Sequence, residues 1–322
     1  WENTLNYNTN FGGSKHDLSA LLGHSMNQSV YEQNTTVGDC GKEHYYASTF
    51  YDLSKISDPT TTSSYIKSSM LSFFGRLNYK FNEKYLLTAS VRADGSSALA
   101  KGHKWGYFPS VAAAWRISDE AFMENTHDWL SNLKLRASWG LSGNAAIDPY
   151  STLTSLSENN IYYYLGGQSF AGKVPSTMGN NELTWEKTSA LDFGIDFGLF
   201  NNRISGSIDY YISNTYDLLY YKSAPASSVY PSVLANIGET KGSGLEVALN
   251  TLIVSSKNFS WDVNWSYSTS KDEVTKLVDG VDRNINGVTG QIVGQPVSIF
   301  YDYETDGCWN VGEYDEYVTA WK

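Results

Sequence analysis

Alternation of apolar and polar residues, sustained over segments of about ten residues, is the feature that most constrains the fold of this chain. A period of two places successive side chains on opposite faces of a β-strand, whereas a helix repeats every 3.6 residues. The clearest segments lie at 71–81, 85–93, 133–142, 190–199, 204–212 and 259–268, and weaker ones lie at 3–11, 17–25, 107–117 and 243–252. The sequence therefore predicts ten strands.

The length of these strands indicates which solvent each face meets. A soluble β-sandwich also alternates, but its strands usually have about 5–6 residues, whereas a tilted membrane-spanning strand needs about 9–11. The apolar faces are broad and carry aromatic residues such as Trp115, Trp139 and Tyr210, and the opposite faces carry small and charged residues. This pattern predicts an all-β, antiparallel transmembrane barrel with its apolar face toward lipid and its polar face toward a watery interior.

The composition supports strands and turns and excludes some partners. Of 322 residues, 15% are aromatic, with 24 Tyr and 10 Trp, and only 18% are charged. Such a composition favours β-structure over helix. The net charge of −11 argues against nucleic acid as a partner, because phosphate binding needs an excess of Lys and Arg. No run of 18 apolar residues occurs, so the sequence predicts no transmembrane helix.

The links between the strands alternate in length. Tight links lie at 12–15, 82–84, 201–202 and 255–257, and long ones at 28–67, 95–105, 144–187, 214–241 and after about 270. Outer-membrane barrels have short periplasmic turns and long extracellular loops. The link at 118–131 is the exception, and we expect a short periplasmic helix there. Ser118 would cap it, Asp119 and Glu120 would lie in its first turn, and Ile117 would contact Phe122.

Several ordered strings resemble the signature of the SusC/RagA family of TonB-linked (TonB-dependent) outer-membrane transporters. They are FPSVAAAWRISDE at 108–120, LKLRASWG at 133–140 with Gly143 and Asn144, LTWEKT at 183–188, DFGIDFGLFNNRI at 192–204 with the following Asp209, Tyr210 and Tyr211, NIGETKGSGLE at 236–246, and GQPV at 294–297 with YETDG at 303–307. The resemblance implies a barrel of about 22 strands with a plugged lumen. We therefore expect residues 1–322 to be the central part of the barrel, with the plug domain, the TonB box and the closing C-terminal strands outside this sequence.

The resemblance also implies a function and partners. Family members import glycan oligomers, or peptides in one branch, across the outer membrane. A SusD-like surface lipoprotein closes over the barrel, and the TonB complex acts on the plug. We expect no enzymatic activity and no cofactor. Two alternatives remain open: an adhesive or structural barrel without uptake, and a soluble β-rich carbohydrate-binding module or hydrolase.

Aromatic residues in the long links are the candidate site. Sugar rings stack on aromatic faces, so Tyr162, Tyr163, Tyr164 and Trp105 are candidates for substrate binding or contact with a lid. The alternative is that they form an interfacial aromatic girdle or the core of the loops, and we favour the girdle for Tyr220 and Tyr221 because they lie near a strand end.

Catalytic and metal sites are not expected. Carboxylates on the polar faces fit a hydrated lumen wall better than a glycosidase pair. The five histidines are scattered, and the cluster at 39–44 matches no standard metal-ligand spacing, so we expect no metal. Cys40 and Cys308 are the only cysteines, and a disulfide between them is possible.

Overall fold

The computed structural model describes residues 1–39, 54, 56–157, 162–224, 227–230, 232–277, 280–286, 288–304 and 307. Ten strands form the main sheet: β1 (Glu2–Phe11), β2 (His16–Asp39), β3 (Ser57–Phe81), β4 (Tyr85–Ser96), β5 (Trp105–Arg116), β6 (Leu130–Asn144), β11 (Glu186–Leu199), β12 (Ile204–Tyr216), β15 (Glu239–Ser255) and β16 (Ser260–Lys276). The other strands lie in the links: β7 (Ser155–Ser157), β8 (Tyr162–Leu165), β9 (Gln168–Ala171), β10 (Val174–Thr177), β13 (Leu219–Ser223), β14 (Ser232–Asn236), β17 (Arg283–Asn286), β18 (Thr289–Ile292) and β19 (Ile299–Phe300).

The main sheet confirms the ten predicted strands. Each strand pairs antiparallel with its neighbour along the chain, in the order β1-β2-β3-β4-β5-β6-β11-β12-β15-β16. The register places apolar residues beside apolar residues on neighbouring strands. One such row of partners is Leu87, Ala113, Ala137, Phe193 and Tyr210. A slip of one residue would move a strand's apolar set to the other face, so this continuous register fixes one apolar and one polar face for the whole sheet.

The apolar face is exposed. Its large side chains include Phe193, Ile195, Trp265 and Tyr267, and each of them is at least 40% exposed. A soluble protein rarely exposes so large a contiguous apolar surface, whereas lipid covers such a face in a membrane barrel. Within the described ranges, no helix is long and apolar enough to cross a membrane. We call this face the outer face and the polar one the inner face.

The first long link is mostly a β-ribbon, so the predicted loop at 28–67 is wrong over most of its length. Strands β2 and β3 stay paired from His16 and Phe81 to Asp39 and Ser57. Pairing with β1 ends at Ser25, and pairing with β4 ends at Met70, so the distal part has only two strands. Its Thr-rich sequence favours extended backbone. Both of its faces are largely exposed, and its sequence lacks the apolar alternation used to recognise strands.

The link at 118–131 is helical as predicted, but the prediction that Ser118 caps its helix is wrong. Two 3₁₀ helices occupy it, Ile117–Asp119 and Ala121–Thr126, and neither begins with a side-chain cap. Ser118 is buried within the first one, and its hydroxyl donates to Asp119 Oδ1 (3.1 Å). Glu120 separates the two helices in an extended conformation. Phe122 is mostly exposed, so it does not form the expected staple.

Candidate functional site

The inner face carries an ion-pair network across three strands. Arg136 of β6 binds Asp196 of β11 (2.8 Å) and Asp209 of β12 (2.6 Å), and Lys134 binds Asp196 (2.6 Å). Gly194 is the register partner of both Arg136 and Asp209, so the guanidinium crosses β11 above a residue without a side chain. These carboxylates are held by cations and do not form an acid/base pair. The network is a polar wall, as the sequence predicts for this face.

A second polar cluster lies on the inner face of β3 and β4. Arg92 Nε donates to both carboxylate oxygens of Asp94 (2.7 and 2.8 Å), and Arg92 Nη2 donates to Ser72 Oγ (2.8 Å). The guanidinium carbon also lies 5.5 Å from the centre of the Phe74 ring. Arg92 of β4 therefore links its own strand to Ser72 of β3.

The links at one end of the sheet share small hydrophobic cores. We call this end the long-link end, and the opposite one, with the turns 12–15, 82–84, 200–203 and 256–259, the short-link end. Trp185 is 3% exposed and packs edge-on against Phe108, with Leu99 beside them. The Trp185 indole N–H donates to the carbonyl of Lys104 (3.0 Å). Leu183, which is fully buried, packs with Ala100 and Leu234. The long links are therefore packed against one another.

Two side chains from the family-like strings join these links. The Asn236 amide accepts a hydrogen bond from the backbone N–H of Thr184 and donates to the carbonyls of Thr184 and Asp217. The Glu186 carboxylate accepts from the Asn144 amide (3.2 Å) and from the backbone N–H of Leu219 (3.2 Å). The strings LTWEKT and NIGET thus serve to hold the long links together. Sequence reasoning missed this role because the partners lie far apart along the chain.

The three candidate tyrosines lie together on a hairpin. Tyr162, Tyr163 and Tyr164 belong to β8, which pairs with β9 around the turn at Gly166 and Gly167. Both glycines have positive φ (61° and 82°), as a two-residue hairpin turn requires. Tyr163 stacks on Phe170, with 5.4 Å between ring centres. Tyr164 is 78% exposed, so the hairpin presents aromatic surface to solvent.

Trp105 lies apart from that hairpin. It begins β5 on the outer face, pairs with Gly95, and stacks on Phe73 with 6.2 Å between ring centres. Its position is that of an interfacial girdle residue, and a role in substrate or lid contact stays a prediction.

The other sequence candidates divide between the long links and the undescribed segments. The Tyr220 hydroxyl accepts a hydrogen bond from the Asn284 amide (2.6 Å), which joins two long links, and Tyr221 is exposed on β13. Cys40 and Cys308 lie outside the described residues, so the disulfide stays a prediction.

Glu120 organises the aromatic residues at the short-link end. Tyr85 Oη (2.7 Å), Trp115 Nε1 (3.0 Å) and Lys84 Nζ (3.1 Å) all donate hydrogen bonds to its carboxylate. These bonds, foremost that from Tyr85, lower the pKa of the Glu120 carboxyl below its ordinary value. The stacked rings of Tyr85 and Trp115 lie on the outer face, so the 3₁₀ link is fastened to the apolar surface at a girdle position.

An antiparallel sheet with an apolar outer face, a polar inner face and packed links at one end defines part of an outer-membrane β-barrel. The family described as TonB dependent receptor-like, beta-barrel matches residues 1–320. The chain belongs to this family and is located in the outer membrane.

Relatives and solved structures agree. The chain is 38% identical to TonB-dependent receptor P26 of Formosa agariphila over 97% of its own length and 32% of the relative's. It is 35% identical to TonB-dependent receptor SusC of Bacteroides thetaiotaomicron over 74% of its own length and 25% of SusC. A solved structure of the RagAB peptide transporter is similar with a TM-score of 0.78 and 30% identity, over 92% of this chain and 32% of that chain. The resemblance to the SusC/RagA family is confirmed, and the chain spans about a third of the length of these relatives or less.

Proposed function

We propose that this chain forms part of the wall of a TonB-dependent importer for oligomeric nutrients, with glycan oligosaccharides as the cargo. The observation that carries the proposal is the similarity to SusC over most of the chain. The ten strands would be the central part of a barrel of about 22 strands. A plug with a TonB box, encoded elsewhere in the complete protein, would receive energy from the TonB complex.

The long-link end would be extracellular, and a SusD-like lipoprotein would sit on it. Packed links give a large lipoprotein a firm base, because the cores around Trp185 and Leu183 fix their relative positions. The tyrosine hairpin β8–β9 projects exposed rings from this base and would contact either the lipoprotein or the cargo. Trp105 is the weaker candidate for such contact, since its ring stacks on Phe73 of the outer face.

One groove of about 680 Å³ on the inner face of β1 to β4 suits neutral sugars. Its lining includes the amides and hydroxyls of Asn8, Ser19, Asn78 and Thr88. Lys80 and Asp17 also border the groove, and their opposite charges neutralise each other in an ion pair (Nζ to Oδ2, 3.1 Å). Sugar hydroxyls both donate and accept hydrogen bonds, as amides and hydroxyls do.

A peptide cargo is the second candidate, favoured by the similarity to the RagAB peptide transporter. The two classes separate in one experiment. A strain that lacks the complete gene is tested for uptake of labelled neutral oligosaccharides and of labelled oligopeptides, with the complemented strain as control. We expect loss of oligosaccharide uptake. Loss of peptide uptake alone would identify the second candidate, and no loss of either would favour a barrel without transport.

The hairpin is tested by replacing residues 162–171 with two glycines in the complete protein. Tyr162 and Ala171 are register partners, so the shortened link joins without stretching the fold. We expect weaker uptake or weaker co-purification of the lipoprotein, with normal barrel assembly because loop tips tolerate change. Phe200→Ala, an exposed aromatic residue in a short-link turn, is the control and should change neither. Unchanged uptake and unchanged co-purification would remove Tyr162, Tyr163 and Tyr164 from the site.

The orientation is tested with single cysteines and a membrane-impermeant thiol reagent on intact cells. Cys40 and Cys308 are first changed to serine. Tyr164→Cys should label, since it lies on the proposed extracellular hairpin, and Lys257→Cys should label only after the cells are broken. The reverse pattern would invert the barrel.

A further inference from the structure

The outer face contains a hollow where two alanines meet. Ala113 of β5 and Ala137 of β6 are register partners, and large residues surround them. Leu87 and Phe193 are their partners on the flanking strands, and Trp115 and Leu135 form the next pair toward the short-link end. The hollow measures about 810 Å³, and its remaining outer-face lining is Tyr79, Tyr85, Ile195, Ile208 and Tyr210.

The polar atoms around the hollow are almost all engaged within the protein. The Tyr85 hydroxyl and the Trp115 indole N–H donate to Glu120, and the Tyr79 hydroxyl lies 2.7 Å from His16 Nδ1. The Tyr210 hydroxyl forms no hydrogen bond to the described part of the chain. The hollow therefore suits a ligand with a hydrocarbon body and a single acceptor at its edge.

The width of the hollow favours a flexible chain. Leu87 and Phe193 stand three strand spacings apart, roughly 14 Å between backbones. The Leu87 and Phe193 side chains flank this gap on either side, and a helix with its side chains is itself roughly 10–12 Å across. An extended acyl chain fits such a slot, and the outer face lies in the membrane where acyl chains are the surrounding solvent.

We propose that the hollow is a binding site for a glycerophospholipid of the periplasmic leaflet. One acyl chain would lie over Ala113 and Ala137, and an ester carbonyl at the rim would accept a hydrogen bond from Tyr210. The choice of leaflet rests on the proposed orientation of the barrel, because the girdle pair Tyr85 and Trp115 borders the hollow at the short-link end. Lipid binding itself does not depend on which cargo is imported.

The test is native mass spectrometry of the complete protein, purified in a mild detergent, with lipid extraction and identification. Wild-type protein should retain phospholipid. Ala113→Phe and Ala137→Phe, which place a large ring at the floor of the hollow, should each reduce the retained phospholipid at least about tenfold. Ala93→Phe, on the same face of β4 outside the hollow, should retain it, and Tyr210→Phe should retain less. Heat-dependent migration on gels verifies that every variant is folded.

Several results would overturn the site. Equal phospholipid in the wild type, Ala113→Phe and Ala137→Phe would show that the hollow binds none. Loss of a dimer, rather than of lipid, in the filled variants would make the hollow an interface between copies. Lipopolysaccharide in the hollow would contradict the proposed phospholipid and would place the short-link end at the cell surface. Thiol labelling detects such an error of orientation, and it does so separately from any effect on uptake.

Discussion

Gly194 occupies a position at which any side chain would separate an ion pair. A Cβ built there would lie 2.7 Å from Arg136 Cζ and would also collide with the Asp209 carboxylate. The guanidinium reaches from β6 to β12 only because β11 has no side chain between them. The sequence predicts the polar face, but it does not predict which carboxylates pair, because partners on different strands are set by register.

Gly194→Ala should therefore lower the free energy of unfolding by about 1–3 kcal/mol, the usual cost of overpacking a closely filled site. Denaturant unfolding of the complete protein in detergent measures it. Gly140→Ala is the control, since its Cβ would meet only Ser110 Cβ at 3.2 Å. In an Arg136→Met background the alanine should cost less, because the obstructed bridge is gone. An equal cost in both backgrounds would contradict the role of Gly194.

Glu120 links acidity to stability at the short-link end. Its pKa is lowered in the folded protein, first by the hydrogen bond from Tyr85. A lowered pKa means that the carboxylate stabilises the fold fully above its unfolded pKa of about 4.3 and loses this contribution as the pH falls through the folded pKa.

Glu120→Gln should accordingly destabilise the barrel at pH 7, and its difference from wild type should shrink on acidification. Thermal unfolding at pH 7 and below pH 4 measures both. Glu124→Gln, in the same link, is the control and should change stability little at either pH. A difference between wild type and Glu120→Gln that is independent of pH would contradict the ionised carboxylate as the cause.

At the scale of strands, the alternation of apolar and polar residues predicted the strands that span the bilayer and almost none of the others. All ten spanning strands follow from the period of two, since lipid and water on opposite faces impose it. The distal β2–β3 ribbon lacks that asymmetry, and the strands within the links have only two to five residues each, so neither gives a periodic signal. The Trp185 core was missed for a related reason: it gathers Leu99 and Trp185 from two links that each resemble a polar loop, and Phe108 from the polar face of β5.

Charge on the outer face should be costly where charge on the inner face is not. Ile195→Arg and Val263→Arg would each place a cation toward lipid, at about 2–4 kcal/mol if the position is near the bilayer midplane. Asn264→Arg, adjacent to Val263 but on the inner face, should cost little. Folding into lipid vesicles measures the difference. Asp196→Arg would not serve as a control on the inner face, because it would place three cations side by side: the new arginine, Lys134 and Arg136. Equal losses for Val263→Arg and Asn264→Arg would contradict the assignment of the faces.

For the whole molecule, the described strands form an open wall whose edges are β1 and β16. The relatives are about three times as long as this chain or more, so this wall corresponds to about a third of their length or less. What this wall contributes by itself is a boundary between lipid and water, with a packed platform at one end. The transport that we propose for the complete protein would depend on that boundary.

The most direct test of the boundary is a cysteine scan of 262–267 on β16, in complete protein lacking Cys40 and Cys308, reconstituted in vesicles. Each cysteine carries a small fluorophore, and a lipid-attached and a water-soluble quencher are compared. The lipid quencher should act at 263, 265 and 267, and the water-soluble one at 262, 264 and 266, because successive side chains point to opposite faces. Quenching that varies smoothly along the strand, without alternation, would contradict a membrane-spanning barrel wall.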